Sequence, residues 1–536
     1  MSLHPASATR SGKDRGVQWN APAERGLATI EAAGLALAVL LPSFFNARST
    51  FSFEPDRMAL LRVLAIAVAV VGLLTIPIRR PRLTSMRLAV IGWVAAQGIA
   101  TLASVDVGRS LWGSEERSGG LLTSVAWALF ALCLPGVLSS GAVYRLVTAI
   151  SLGSVPVTLY ALAQGVGWDP VRVATGPAQP PPAISSTLGN PVFLGGYLAM
   201  ATPLTVWLAW DARRKAAPIA LAVLQVVALI GTEARGPWLG LAAGSVTAML
   251  LIGLATARRR WIVASLAALA LGIVLLVVPG LALRPGSIES LRRIPYVGRL
   301  ADLRTSTTAA QRLLIWEGAA RLVASAPLRA LVGYGPETLP LAYARYYPPR
   351  LAEYEADGIV RLPDRAHNLA WDALAESGFL GLAATLALWG VAARKGLQHL
   401  EKRQPQKWPV LLWAGGGAGV AGAALAYMLG RNAAAAGLGL GLGLWGGTVL
   451  GLGVAGLRRQ DASSPLSREQ GLTIALLAVL TVHFVDLQVG FVTAATGSLF
   501  WLCLAMLGAM SGRETGDPMR TYNPLPNPPP KRGREK

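Results

Sequence analysis

The chain predicts an all-α fold: a polytopic membrane helical bundle of about 14 transmembrane helices, with a large helical outer loop between spans 9 and 10. Three observations predict it. First, 536 residues that are 53% hydrophobic and only 14% charged are too apolar for a soluble chain of this length. Second, apolar runs of about 17 to 25 residues, each able to cross roughly 30 Å of hydrocarbon as a helix, recur from Leu27 to Met510. Third, the charge of +21 is carried by Lys and Arg that punctuate the runs. They form no single patch interleaved with aromatics, so the charge points to topology and excludes nucleic acid as a partner.

Taken in order, residues 1–26 form a cytoplasmic N-terminal segment carrying Arg10, Lys13, Arg15 and Arg25. No small-residue cleavage site follows it, so the first helix is expected to be retained. Spans 1 to 9 occupy residues 27–283, the outer loop 284–367, and spans 10 to 14 residues 368–510. Residues 511–536 form a cytoplasmic tail, expected to be disordered because it is rich in Pro from Asn523 to Pro530. Alternating the sides places the basic clusters at Arg79, Arg213, Arg258, Arg394 and Arg458, and all seven Lys, on one face. The positive-inside rule makes that face cytoplasmic, puts both termini there and leaves the long loop periplasmic or extracellular. The expected location is the cytoplasmic membrane, with membrane lipids as partners. Cys133 and Cys503 both fall inside spans and read as buried small hydrophobes rather than a disulfide.

Several connectors stand out. The segment from Trp112 to Gly120 is either an interfacial turn anchored by Trp112 or a substrate contact. Leu188 to Pro191 reads as helix initiation, with Asn190 as cap and Pro191 in the first turn. The turn from Glu233 to Trp238 holds Arg235 close to the bilayer, where a cation is costly unless paired. It is either a functional cation or a residue paired with Glu233 or snorkelling. Arg62 is expected to snorkel.

The stretch from Arg284 to Gly378 carries 12 Arg, 10 acidic residues and no Lys, so soluble-facing chemistry is concentrated there. Within it, Thr305 to Ala326 predicts an amphipathic helix with Leu313, Trp316, Ala320 and Val323 on one face and Pro327 beyond its end. Glu317 and Arg321 are spaced to pair at i, i+4. Arg312, one turn before Trp316, is either an anion clamp or a solvated residue of a surface helix. Gly333 to Pro336 predicts a turn, and Tyr343, Tyr346 and Tyr347 suit either a sugar or lipid-phosphate surface or interfacial anchoring. Glu353, Glu355 and Asp357 read as solvated carboxylates, and no metal site is expected. His367 stands where the chain re-enters an apolar run, so its imidazole meets both water and headgroups, as a titrating group or as a cap. Glu376 lies about 13 Å further along a helix, too far to orient that ring. Gly437, Gly439, Gly441 and Gly443 predict close helix packing, not a phosphate loop. His483 and Asp486, three apart near the outer end of span 13, either pair or contribute to a polar cavity.

Three stretches together resemble the O-antigen ligase and O-antigen polymerase superfamily of membrane glycosyltransferases. They are Glu233-Ala234-Arg235-Gly236; Gln311-Arg312-Leu313-Leu314-Ile315-Trp316, followed by Pro327 and Gly333-Tyr334-Gly335; and His367-Asn368, followed by Gly378 and Gly381. Where that family often has Leu four residues after its second Arg, this chain has Trp316. The resemblance implies transfer or polymerisation of a glycan carried on a polyprenyl diphosphate, with a glycan, lipid or protein acceptor and no cofactor or metal. It maps Arg235, Arg312 and His367 onto the family's functional Arg, Arg and His. The two guanidiniums would offset the diphosphate charge, and His367 would take the acceptor's proton with a pKa of about 6.5. Arg321, Tyr334, Asn368 and His483 are candidate substrate contacts. A protein O-oligosaccharyltransferase would use the same residues. A membrane transporter would instead place ionisable groups at the midplane and repeat the span pattern, and neither feature is clear.

Overall fold

The computed structural model describes residues 21–46, 53–75, 83–169, 184–282, 307–354, 360–400, 408–430, 433–458 and 464–511. The predicted N-terminal segment up to residue 20, most of the tail, and Glu355 and Asp357 lie outside the described residues. The described residues contain no strand. Helices α1 (Ala21–Leu40), α2 (Glu54–Thr75) and α3 (Ser85–Leu102) lead into the short α4 (Val107–Trp112). Then come α5 (Leu121–Cys133), α6 (Ser140–Gly165), α7 (Pro191–Asp211), α8 (Ala216–Gly231), α9 (Arg235–Thr256) and α10 (Arg259–Ala282). The loop contributes α11 (Thr307–Ala324), α12 (Pro327–Val332) and α13 (Leu339–Tyr343). The chain returns through α14 (Leu369–Leu400), α15 (Trp408–Gly430), α16 (Ala436–Leu457), α17 (Arg468–Asp486) and α18 (Ala494–Ser511).

Among the described residues nine of these helices are long and apolar enough to cross a membrane, and α5, α8 and α18 are shorter apolar helices. With α10 and α15 they fall where the apolar runs predicted spans, giving a polytopic helical bundle. Local chemistry fixes several starts. Thr84 accepts from Arg87 N, Ser139 from Ala142 N and Asn190 from Val192 N, while Ser467 and Gln470 form a reciprocal capping box. The Asn190-Pro191 reading therefore holds.

Of the nine long apolar helices α17 is the most enclosed, packed by α7, α9, α14 and α18. Small residues permit this: a Cβ on Gly240 or Gly244 of α9 would stand 2.8 Å from Val482 O or 2.9 Å from Ala478 O. The glycine run of α16 does the same against α15, where Gly422 and Gly439 leave 2.3 Å between an added Cβ and the facing carbonyl. Two expectations are corrected. The buried face of α11 is Trp316, Ala319, Leu322 and Val323, whereas Leu313 is 47% exposed because the helix docks one residue round from the predicted face. Arg62 does not snorkel: it donates to Trp112 O at 2.6 Å, Ser118 O at 2.7 Å and Thr123 Oγ1 at 3.0 Å, pinning the segment after α4.

Candidate active site

The loop is docked on the bundle by backbone. Tyr334 N donates to Ala375 O and Gly335 N to Glu376 O, both at 2.9 Å, while Val105 N donates to Tyr334 O at 3.0 Å. Gly333 and Gly335 have φ of +80° and +109°, which glycine adopts without strain. Closeness also demands glycine here: a Cβ on Gly333 would stand 2.3 Å from Glu376 O, and one on Gly378 2.4 Å from the Leu331 backbone. Gly378, at φ +65°, breaks α14 into two arms and forms an elbow.

His367 is fixed from both sides. Trp316 Nε1 donates to Ala366 O at 2.8 Å, and Ala366 N donates to Asp372 Oδ1 at 2.6 Å. On the other side the fully buried Asn368 donates from Nδ2 to Gln488 O at 2.9 Å. Its Oδ1 accepts from Ala370 N and Trp371 N at 3.1 and 3.2 Å, capping α14. Between them His367 takes a left-handed φ of +57° and presents its ring to Phe491, 5.1 Å between centroids.

That ring lines a cavity of about 130 Å³ together with Arg312, Arg117, Asn190, Asp486 and Thr493. Arg117 donates to Asp364 Oδ2 at 2.8 Å from Nε and 2.5 Å from Nη2, and stacks over Phe491 at 4.3 Å. Burial pushes the Asp364 carboxyl up, but the Arg117 pairing outweighs it and holds the group below its ordinary value. Burial likewise lowers Arg312, opposed by the Asp486 carboxyl and reinforced by Arg235. Arg235 therefore acts on the site electrostatically, from the start of α9. Gly236 beside it leaves room for Asp486, whose Oδ1 would lie 2.8 Å from an added Cβ. His367 is pushed down to about 4, by burial first and by Arg312 next. It is neutral at pH 7 and able to accept a proton, so the expected pKa of about 6.5 is corrected by this cationic, dry setting.

Arg365 is held in a buried cluster with Glu337 and Glu376, and Glu337 also accepts from Ser114 Oγ at 2.6 Å. Burial works against the Arg365 cation, but the facing carboxylates more than offset it and raise its pKa. The segment from Trp112 to Gly120 is thus tied to the docked loop through Ser114 and Glu337, with Trp112 itself exposed.

Of the residues singled out in the sequence, His367 and Arg312 share the cavity, while Arg235 does not line it and bears on Arg312 only through its charge. Arg321 lies on the open face of α11, 57% exposed and paired with Glu317. Tyr334 braces the loop, its hydroxyl 3.3 Å from Ser325 Oγ, and Asn368 is a cap. His483 does not pair with Asp486. It lines a second cavity, its ring between Trp389 and Phe500 at 5.9 and 5.5 Å. Sequence reasoning missed Arg117 and Asp364. The one signal was an Arg in a short outer segment, Glu115-Glu116-Arg117, with no helical partner spacing. Among the described residues no three His, Cys, Asp or Glu side chains form a group able to hold a metal ion.

Residues 220–386 match the O-antigen ligase family, a range that takes in Arg235, Arg312 and His367. That stretch is similar to an O-antigen ligase domain. The match supports the superfamily resemblance and a multi-pass membrane function of the ligase or polymerase kind. No curated protein matches the chain. The matched range supplies Arg312 and His367 to the cavity, while Arg117 and Asp486 reach it from outside that range.

Proposed function

We propose that this protein is a membrane glycosyltransferase that moves a glycan from a polyprenyl diphosphate to a glycan, lipid or protein hydroxyl at the outer face of the cytoplasmic membrane. One observation carries the reading: the half-buried imidazole of His367 and two guanidiniums, Arg312 and Arg117, line the same small cavity. The acceptor hydroxyl oxygen bonds to the anomeric carbon as the bond from that carbon to the diphosphate oxygen breaks. The bonding electron pair leaves with the diphosphate, and the hydroxyl proton passes to His367. Arg312 and Arg117 face the charge that develops on the leaving group, in a site where water screens little. Asp486 opposite Arg312 steadies that guanidinium in the absence of substrate. A bound diphosphate offsets the cationic field on His367 and lifts its proton affinity when the acceptor arrives.

The test is transfer from a purified polyprenyl-diphosphate glycan by His367→Asn, a residue that tolerates the left-handed backbone at this position. Loss of about a hundredfold or more at normal abundance is expected, because general-base catalysis is worth about 10² to 10⁴. Near-parental transfer would overturn the base assignment. Loss of the parent's transfer on chelation would show that a metal takes part.

A further inference from the structure

The elbow of α14 encloses a second cavity, of about 160 Å³, that adjoins the first and shares Arg117, Gly490 and Phe491 with it. Its wall differs in chemistry. Where the first cavity presents Arg312, Arg117 and His367, the second presents four carboxyl groups, Glu54, Glu337, Asp372 and Glu376, against two guanidiniums, Arg117 and Arg365. An anion is disfavoured there. Aromatic rings close the other side: Trp389 packs tilted against Phe500 at 4.7 Å and Trp93 against Trp501 at 5.0 Å. Uncommitted polar groups stand among them. Among the described residues the side chain of Gln97, on α3, lines the cavity without a hydrogen bond, and the buried His483 has no partner at Nδ1.

Aromatic faces beside carboxyl, amide and imidazole groups match a pyranose, which has apolar C–H faces and a rim of hydroxyls that both donate and accept. The volume suits one ring rather than a chain. We infer that the elbow cavity is a sugar subsite, seating a single neutral sugar whose reacting end meets the diphosphate site at the shared wall of Arg117 and Phe491. This rests on the transferase reading for its meaning, though not for its test. The same chemistry suits the sugar next to the donor's diphosphate and the terminal sugar of an acceptor.

Binding to the solubilised full chain is read by saturation-transfer NMR with three probes: farnesyl diphosphate carrying N-acetylglucosamine or glucose, farnesyl diphosphate alone, and the methyl glycosides of the two sugars. Gln97→Leu, which removes the amide at near-constant volume, is expected to weaken sugar binding about tenfold and leave farnesyl diphosphate unchanged. Trp389→Phe, which keeps a ring in place, serves as a second variant. Weakening confined to the sugar diphosphates assigns the seat to the donor, and weakening of the glycosides assigns it to the acceptor. Unchanged sugar affinity in both variants, or no sugar binding by the parent, overturns the subsite. Sugar binding that responds to the variants in a protein that transfers no glycan would instead overturn the transferase reading and leave the subsite standing.

Discussion

Arg117 Nη2 lies 2.5 Å from Asp364 Oδ2, joining the segment before α5 to the residues that lead into His367 across 247 positions of sequence. The pair aims the guanidinium at the cavity and stacks it on Phe491. Its partner fixes its direction.

Arg117→Gln is therefore expected to lower transfer about a hundredfold or more, the scale of losing one preorganised group at a developing anion. Asp364→Asn should cost less, because Phe193 and Phe491 still hold the guanidinium. The measurement is kcat at matched protein level in detergent. An Asp364→Asn variant worse than Arg117→Gln would count against Arg117 as a substrate contact.

The pH dependence has a worked sign. His367 is depressed to about 4 from an ordinary value of about 6.5, so the folded protein resists protonating it. Its contribution to stability is present above about pH 6.5 and is lost as pH falls through about 4. The acidic limb of kcat/KM should lie nearer 4 than 6.5. Because Arg312 is one cause of the depression, Arg312→Gln should move that limb upward in whatever activity remains. A limb that stays put in this variant would separate the two residues.

Asn368→Ala removes a cap and the tie to Gln488 O together. A loss of about 1 to 2 kcal/mol in thermal stability is expected, with a fall in kcat as His367 loses its bracket. Differential scanning fluorimetry alongside transfer assays reads both. Unchanged stability with altered KM alone would make Asn368 a substrate contact instead.

The topology is tested by single cysteines in a background with Cys133 and Cys503 replaced by Ala. Ser325→Cys and Arg214→Cys both sit at exposed positions. An impermeant thiol reagent applied to intact cells should label only the first. Labelling of the second alone would invert the bundle.

Much of this was legible in the sequence, for physical reasons that differ by residue. The apolar runs gave the helices because crossing hydrocarbon leaves few options but a helix with its backbone bonds satisfied internally. His367 and Arg312 stood out as rare polar groups at span boundaries. Arg117 did not, since its partner Asp364 is brought close only by the docking of the loop. Arg62 looked like an anchor because sequence cannot show that three acceptors from the segment near α4 converge on it. His483 and Asp486 have pairing distance on a helix, but the elbow of α14 brings Trp389 against His483 and the end of α17 turns Asp486 toward Arg312.

The seam at Gly333 and Gly378 has a consequence for how such chains can vary in length. Two strands of main chain meet there with no side chain between them. One inserted residue on either side would slide one backbone past the other and bring a Cβ into the contact. Between the two points, by contrast, Val360, Arg361 and Leu362 are exposed. Extra residues there would bulge into open space, so the loop has one region that can grow and two ends that must keep register.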